Sequence, residues 1–140
     1  MTRIDFYLNA GLKLQIACKI AAKAIQKRSR VLIFAPDEPV AREIDRLMWT
    51  LPSTGFLPHC MASDPLAGET PVLITRSIEF MPHDDVLLNL SEEAPAFFSR
   101  FNRLIEVVGK DEGDKTSART RFRFYKDRGY DLKHHDLESN

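Results

Sequence analysis

The chain has 140 residues, 44% of them hydrophobic, a length and composition typical of one globular domain rather than of a disordered or fibrous protein. Its 20 acidic residues offset its 20 basic residues, which argues against a protein that wraps DNA through many phosphate contacts. Cys18 and Cys60 lack metal-ligand spacing, and no apolar run approaches the roughly 20 residues of a membrane span, so we expect free buried thiols in a cytoplasmic protein without a signal peptide.

The first third of the chain alternates strand patterns with helix patterns. Apolar side chains alternate along residues 4–8, which are rich in strand-forming residue types and predict a strand. A stripe of Ile and Ala at helical spacing then predicts a helix over residues 13–27. The continuous apolar run 31–34 is typical of a strand buried on both faces of a parallel sheet. Asp37 can cap a second helix, whose apolar side excludes Trp49. We therefore expect the only tryptophan of the chain to be exposed.

The rest of the chain continues the alternation. Glu93 begins a predicted helix that reaches Asn102, and the last helix is predicted to end before Gly129, which suits the left-handed residue that terminates many helices. Short extended runs bounded by Pro, Gly and Asp supply the strands. These predicted strands cover residues 56–60, 72–74, 86–90 and 104–108.

Repeated strand and helix units predict the fold class. They indicate a single-domain, three-layer α/β/α arrangement with a mostly parallel sheet and Rossmann-like topology, extending over residues 1–132. Residues 133–140 are expected to form a polar, flexible tail, in which His134 and His135 are assigned no role because nothing holds them rigidly.

The sequence matches known motifs for catalysis or cofactor binding only poorly. Residues 9–11 follow the first strand with one glycine, and the pair Gly109-Lys110 lacks the earlier glycine and the Ser or Thr of a phosphate-binding loop. Residues 83–85, His-Asp-Asp, could serve as a metal or acid/base site, but a polar turn before a strand is the simpler interpretation. No Ser or Cys lies in a nucleophile elbow. We therefore expect no enzyme, no metal and no cofactor.

The segment 115–132 concentrates cationic side chains. In a helix, four cations and one ring fall within an arc of about 100°. Asp127 is the only acidic residue from position 115 to 128, so a lattice of i, i+4 ion pairs cannot compensate the charge. We name these residues the cationic stripe: Lys115, Arg119, Phe122, Arg123 and Lys126.

A stripe of this kind has three interpretations. It suits an acidic peptide with an apolar end group, because Arg and Lys pair with carboxylates while the ring receives the apolar part. It is also compatible with an ordinary solvated helix face, in which Phe122, Tyr125 and Ala118 supply the core contact. The third interpretation is a nucleic-acid-binding helix, which the balanced charge and the few stacking rings argue against.

Trp49 and the segment that follows it form a second candidate surface. An exposed tryptophan near Phe56, Leu57 and Pro58 has the composition of an interface hot spot. The alternative is that Trp49 lies over the end of its helix and packs on Phe56.

Several segments, in order and over nearly the whole chain, resemble one family. The combination of a tryptophan, a nearby FLPH and the C-terminal pattern R-x-x-F-R-x-x-K-x-x-G-Y is similar to the chi subunit family of bacterial DNA polymerase III. The matching segments are DFYL (5–8), IDRLMWT (44–50), GFLPH (55–59), VLLNL (86–90), RFNRLIEVV (100–108) and ARTRFRFYKDRGYDL (118–132).

The resemblance implies a non-catalytic accessory subunit with two partners. Chi-like proteins join the psi subunit, through psi the clamp loader, and they bind the acidic C-terminal tail of single-stranded-DNA-binding protein, so that contact with nucleic acid is indirect. The tail-binding positions of the family fall on the cationic stripe. Phe122 stands where the family commonly has tyrosine, and Arg123 where it has lysine. The psi-facing positions fall on Trp49, Phe56, Leu57, Pro58 and His59.

Overall fold

The fold is described from a computed structural model, which covers residues 1–50, 57–77 and 83–138. Within these ranges seven strands form one sheet, and every pairing between neighbours is parallel. The strands are β1 (Arg3–Ala10), β2 (Val31–Phe34), β3 (His59–Met61), β4 (Val72–Thr75), β5 (Val86–Asn89), β6 (Arg103–Gly109) and β7 (Leu132–Asp136). Their order across the sheet is β3-β4-β2-β5-β6-β1-β7, so β3 and β7 form the two edges.

Helices cover both faces of the sheet. They are α1 (Lys13–Gln26), α2 (Glu38–Thr50) and α3 (Glu112–Asp127). Because side chains alternate along a strand, Val31 and Ile33 of β2 pack in the core beneath α1 and α2, while Leu32 packs in the core beneath α3. The three-layer α/β/α, Rossmann-like fold predicted from the sequence is confirmed.

The ends of α3 are well defined. Asp111 caps its start by accepting a hydrogen bond from the Asp114 backbone N–H at 3.1 Å. At the other end Gly129 has φ 85°, and its N–H donates to the Lys126 carbonyl at 3.0 Å, while the Tyr130 N–H donates to the Tyr125 carbonyl at 3.3 Å. These two bonds make a Schellman motif, which confirms the predicted role of Gly129.

The helix predicted over residues 93–102 is wrong. Only Phe98–Arg100 forms a short 3₁₀ turn there. The Asn89 side chain accepts the Ser91 N–H at 3.1 Å and donates to the Glu93 carbonyl at 3.2 Å, which holds the chain in a turn. Pro95 then disfavours a helical conformation at the residue before it.

The expectation of a flexible tail from residue 133 also needs correction. Residues 132–136 form β7, which runs parallel to β1 and pairs Ile4 with Leu132 and Leu8 with Asp136. The sequence does not reveal this strand because LKHHD is polar. A partly exposed edge strand does not need an apolar run. His134 and His135 are therefore held in fixed positions.

A buried polar network fixes α3 against the sheet. Glu106 of β6 is 0% exposed and Arg121 of α3 is 2% exposed. The Arg121 Nε donates to Glu106 Oε1 at 3.0 Å, and Tyr125 Oη and Asn89 Nδ2 donate to Glu106 Oε2 at 2.6 and 3.0 Å. Burial raises the pKa of Tyr125, so its hydroxyl stays protonated and remains a donor. Each member of the network has a partner, as buried polar groups require.

Removing one partner of this ion pair should destabilise the domain strongly. We expect Arg121→Met to lower the free energy of unfolding by about 3–5 kcal/mol, because Glu106 would stay buried without its counter-charge. Urea denaturation followed by circular dichroism measures the change. Thr120→Ala, at the exposed neighbouring position, is the control and should change it by no more than about 0.5 kcal/mol. Equal stability of the two variants would contradict a structural role for the pair.

Candidate functional site

A groove runs between α3 and the strands β1 and β7 near one edge of the sheet, with a cavity volume of about 610 Å³. Its floor is apolar. Phe6 and Leu8 of β1 point toward α3, as alternate residues of one strand should, and Val108 of β6 and Ala118 of α3 complete the floor. Apolar side chains lie at its base, so the groove can exclude water from a ligand's hydrophobic group.

The cations of the stripe form the rim of this groove. Lys115, Arg119, Arg123 and Lys126 all line it, and Arg119, Arg123 and Lys126 are exposed. In the described part of the chain, none of these four side chains forms an ion pair within 4.0 Å. The carboxylates of the described residues therefore do not neutralise the rim at contact distance, which leaves its charge able to attract an anionic partner.

Two aromatic rings form one wall of the groove. The Phe122 ring meets the Phe6 ring edge-on with centroids 5.6 Å apart, and the His134 ring stacks on Phe122 at 5.0 Å with an interplanar angle of 26°. The Lys126 ammonium lies 5.8 Å from the Phe122 centroid. An apolar surface and a positive charge thus lie side by side in one site.

The structure brings all five residues of the cationic stripe to one groove. Their role in binding stays a prediction. Sequence reasoning missed Phe6, Leu8, Asn9 and His134, which line the same groove from β1 and β7. The alternation in residues 4–8 places Phe6 and Leu8 on the same face of the sheet. Only the packing of the helices shows that this is the face covered by α3. His134 escapes a sequence-based search because the polar segment 132–136 carries no strand pattern.

Hydrogen bonds on the opposite side of the sheet hold β7 in place. His135 Nε2 lies 2.9 Å from Asp5 Oδ1, and Arg103 Nε donates to Asp5 Oδ2 at 2.8 Å. The His135 ring also stacks on Tyr7 at 4.5 Å. Burial acts to raise the pKa of Asp5, but the hydrogen bonds from His135 and Arg103 and their charges outweigh it, so the pKa lies below its ordinary value.

The second candidate surface is smaller than the sequence suggested. Trp49 is 60% exposed, as predicted, and its ring lies edge-on to the His59 ring at 4.8 Å. Pro58 is exposed as well. Leu57 is buried in the core, and the His59 side chain is 1% exposed, with Nε2 2.9 Å from Asp45 Oδ1.

This arrangement corrects the expected set of contact residues. Leu57 and His59 support the surface from below, because their side chains are already covered by the domain. Trp49 and Pro58 are the members of the set that face solvent. Phe56 lies outside the described residues.

The carboxyl ends of β2 and β5 border a larger cavity of about 1000 Å³, at the place where Rossmann-like folds bind nucleotides. Asp37, Glu92 and Glu93 line it. Lys13, the cation among the lining residues, is paired with Asp114 at 3.0 Å. A phosphate would meet several carboxylates here and no unpaired lining cation, so the cavity does not suit a nucleotide.

The potentially reactive side chains that the structure describes outside the groove do not form a second site. Residues 83–85 lead directly into β5, and the Asp85 N–H donates to His83 Nδ1 at 3.2 Å. Cys18 is a free, buried thiol, and burial raises its pKa to about 11, so it stays protonated at neutral pH. Among the described residues, no three His, Cys, Asp or Glu side chains lie close enough to hold a metal ion. Nor does that part of the chain include a helix long and apolar enough to span a bilayer.

The fold and the groove define a class: an α/β/α domain with a cation-rimmed apolar groove, which is suited to binding an acidic peptide. Comparison with known proteins places the chain more closely. The family model described as DNA polymerase III chi subunit, HolC, matches residues 1–133. This chain belongs to the DNA polymerase III chi subunit family.

Individual relatives agree with this assignment. The DNA polymerase III subunit chi of Pseudomonas aeruginosa is 36% identical over 141 aligned positions, covering 98% of each chain. The subunit chi of Escherichia coli is 30% identical and covers 84% of this chain and 81% of its own. The C-terminal domain of S. cerevisiae Dbp5, solved bound to Gle1 and IP6, has a TM-score of 0.61 at 12% identity, covering 99% of this chain and 92% of its own. At that identity the likeness concerns the fold alone.

The ion pairs of Asp5 should make the domain sensitive to acid. Because the folded pKa is lowered, the stabilisation from Asp5 is complete above about pH 5 and is lost as the pH falls below about 4, where the unfolded chain binds the proton first. We expect Asp5→Asn to flatten the fall in unfolding free energy between pH 5 and 3, measured by urea denaturation. Asp131→Asn, an exposed carboxylate, is the control and should keep the wild-type slope. The same slope in the Asp5→Asn variant would contradict this account.

Proposed function

We propose that this chain is a non-catalytic accessory subunit of the bacterial replicative DNA polymerase III holoenzyme. In this role it works in the cytoplasm and needs neither metal nor cofactor. Its groove binds the acidic C-terminal tail of single-stranded-DNA-binding protein, and a separate surface around Trp49 joins the psi subunit, which connects it to the clamp loader. The observation that carries the proposal is the gathering of four cations around an apolar floor in a single groove.

The chemistry of the groove supports an acidic peptide with an aromatic end. Arg119 and Arg123 offer planar guanidinium groups that can grip a carboxylate with two parallel hydrogen bonds, while Lys115 and Lys126 act as compact point charges. The floor and the Phe122 ring accept an apolar side chain that would otherwise remain in water. A peptide that ends in an aromatic residue with a free carboxylate satisfies both parts of the site.

Such a contact acts by tethering. A single peptide on an exposed groove binds modestly, but several tails displayed on one coated strand raise the effective concentration around the polymerase. Charge attraction speeds the encounter and weakens as salt screens it. The subunit therefore reaches single-stranded template through the protein that coats it, without a direct nucleic-acid contact of its own.

The surface around Trp49 supports the assignment to psi. A large aromatic side chain that remains 60% exposed costs free energy in the isolated domain and becomes favourable when a partner covers it. The ring is held from below by His59, which is itself fixed by Asp45 and by the Leu57 carbonyl at 2.7 Å from Nδ1. A partner would therefore meet a ring that is already ordered.

Removing one guanidinium group of the groove should weaken tail binding without unfolding the domain. We expect Arg119→Ala and Arg123→Ala each to cost about 1–3 kcal/mol, because each loses a charge-assisted contact at an exposed site. Fluorescence anisotropy with a labelled acidic peptide ending in Phe measures the affinity. Arg128→Ala is the matched control, since Arg128 directly follows the same helix but does not line the groove.

Two further ligands sharpen this test. The amidated form of the peptide should bind more weakly, because it lacks the terminal carboxylate. A bare single-stranded oligonucleotide should not compete with the peptide at equal concentration. Tight binding of the oligonucleotide, or arginine variants that bind the peptide as well as Arg128→Ala does, would sink the tail-binding proposal.

Truncating the exposed tryptophan should weaken the complex with psi. We expect Trp49→Ala to lower the yield of the co-expressed heterodimer on size-exclusion chromatography, while the melting temperature of the isolated chain stays within a few degrees of wild type, because the ring is largely outside the core. Leu12→Ala is the control, because Leu12 is also a large hydrophobic side chain and is exposed to a similar degree, 62%. Full recovery of the heterodimer with Trp49→Ala would place psi elsewhere.

A further inference from the structure

His134 is the only residue of β7 that lines the groove. It is exposed, and its ring stacks on Phe122 at 5.0 Å and lies 6.2 Å from the Phe6 ring. Phe122 and Phe6 are themselves in edge-on contact at 5.6 Å. Three rings from three different elements therefore form one continuous aromatic surface, which begins with Phe6 at the groove floor and ends in solvent with the wall of Phe122 and His134.

The position of His134 determines what a ligand ring would meet. The stacked imidazole covers part of the Phe122 surface, so an apolar group that enters the groove beside Phe122 meets the combined surface of the two rings. Aromatic pairs prefer offset-stacked or edge-on contacts with centroids about 4.5–7 Å apart, which a ring of the ligand can adopt against this wall. A small or aliphatic end group would leave part of the wall uncovered.

The strand that carries the imidazole is also held in place before any ligand arrives. β7 pairs with β1 along its whole length. The next residue, His135, points to the opposite face of the strand, and its Nε2 lies 2.9 Å from Asp5 Oδ1. At the end of the strand Asn9 Nδ2 donates to Asp136 Oδ1 at 2.9 Å. Because its backbone is fixed and its ring already stacks on Phe122, His134 has less conformational freedom to lose when a ligand packs against it.

We propose that His134 is a specificity-determining residue of the groove, which together with Phe122 receives the aromatic side chain at the end of the acidic peptide. The four cations of the rim set the preference for negative charge, and the Phe122–His134 wall sets the preference for an aromatic end group. This assignment deepens the tail-binding function proposed above and rests on it.

The test compares two acidic peptides that differ only in ending with Phe or with Ala. We expect the wild-type chain to prefer the Phe-ended peptide, and we expect His134→Ala to reduce that preference by about two- to twelvefold. His134→Phe keeps a ring at this position and should retain the preference. Anisotropy titrations of both peptides against each variant give the ratio of the two dissociation constants. Effects of overall charge on affinity are the same for both peptides and cancel in this ratio.

The matched control is Lys133→Gln. Lys133 precedes His134 on β7, and because side chains alternate along a strand it points to the opposite face. Its substitution should leave the ratio of the two affinities unchanged. A wild-type preference that persists in full in His134→Ala would overturn the role of His134 while leaving tail binding intact. Failure of the wild-type chain to bind either peptide would instead sink the tail-binding function itself.

A measurement on the unsubstituted chain guards against a variant that misfolds. In the complex of wild-type protein with the Phe-ended peptide, nuclear Overhauser contacts should connect the His134 ring protons with the terminal Phe ring. Contacts from that Phe to the groove floor but none to His134 would overturn the assignment, whatever the variants show.

Discussion

The ion pair between Arg121 and Glu106 is the interaction on which the rest of the site depends. It lies between α3 and β6 with both side chains almost fully buried, so α3 cannot rotate without separating two charges in an apolar interior. At 100° per residue, Arg121 lies at least about 120° around the helix from each cation of the stripe. Fixing Arg121 toward the sheet therefore fixes those cations toward the groove and solvent.

A second constraint acts at the edge of the sheet. The groove has no far wall unless β7 is paired with β1, and that pairing is reinforced by Asp5, which accepts hydrogen bonds from both Arg103 and His135. One face of β7 thus serves stability, through His135, and the other face serves the groove, through His134. Alternation along a single strand separates the two tasks by one residue.

The two candidate surfaces lie toward opposite edges of the sheet. Trp49 contacts His59 of β3 at one edge, while the groove borders β7 at the other. Six strand spacings separate these edges, a distance of about 29 Å at about 4.8 Å per spacing. In the proposed function, this separation allows psi and an acidic tail to bind the subunit at the same time, so that the domain acts as a rigid spacer between them.

The sequence alone determined the α/β/α class, the three helices, the exposure of Trp49 and the cationic stripe, because periodicity and charge are local properties of the chain. Only the tertiary structure decided three other features. Pairing with β1 made a strand of the polar segment 132–136, turn bonds at Asn89 replaced the predicted helix over 93–102, and packing buried Leu57. Each depends on partners distant in sequence or on side-chain hydrogen bonds, which hydrophobic pattern does not record.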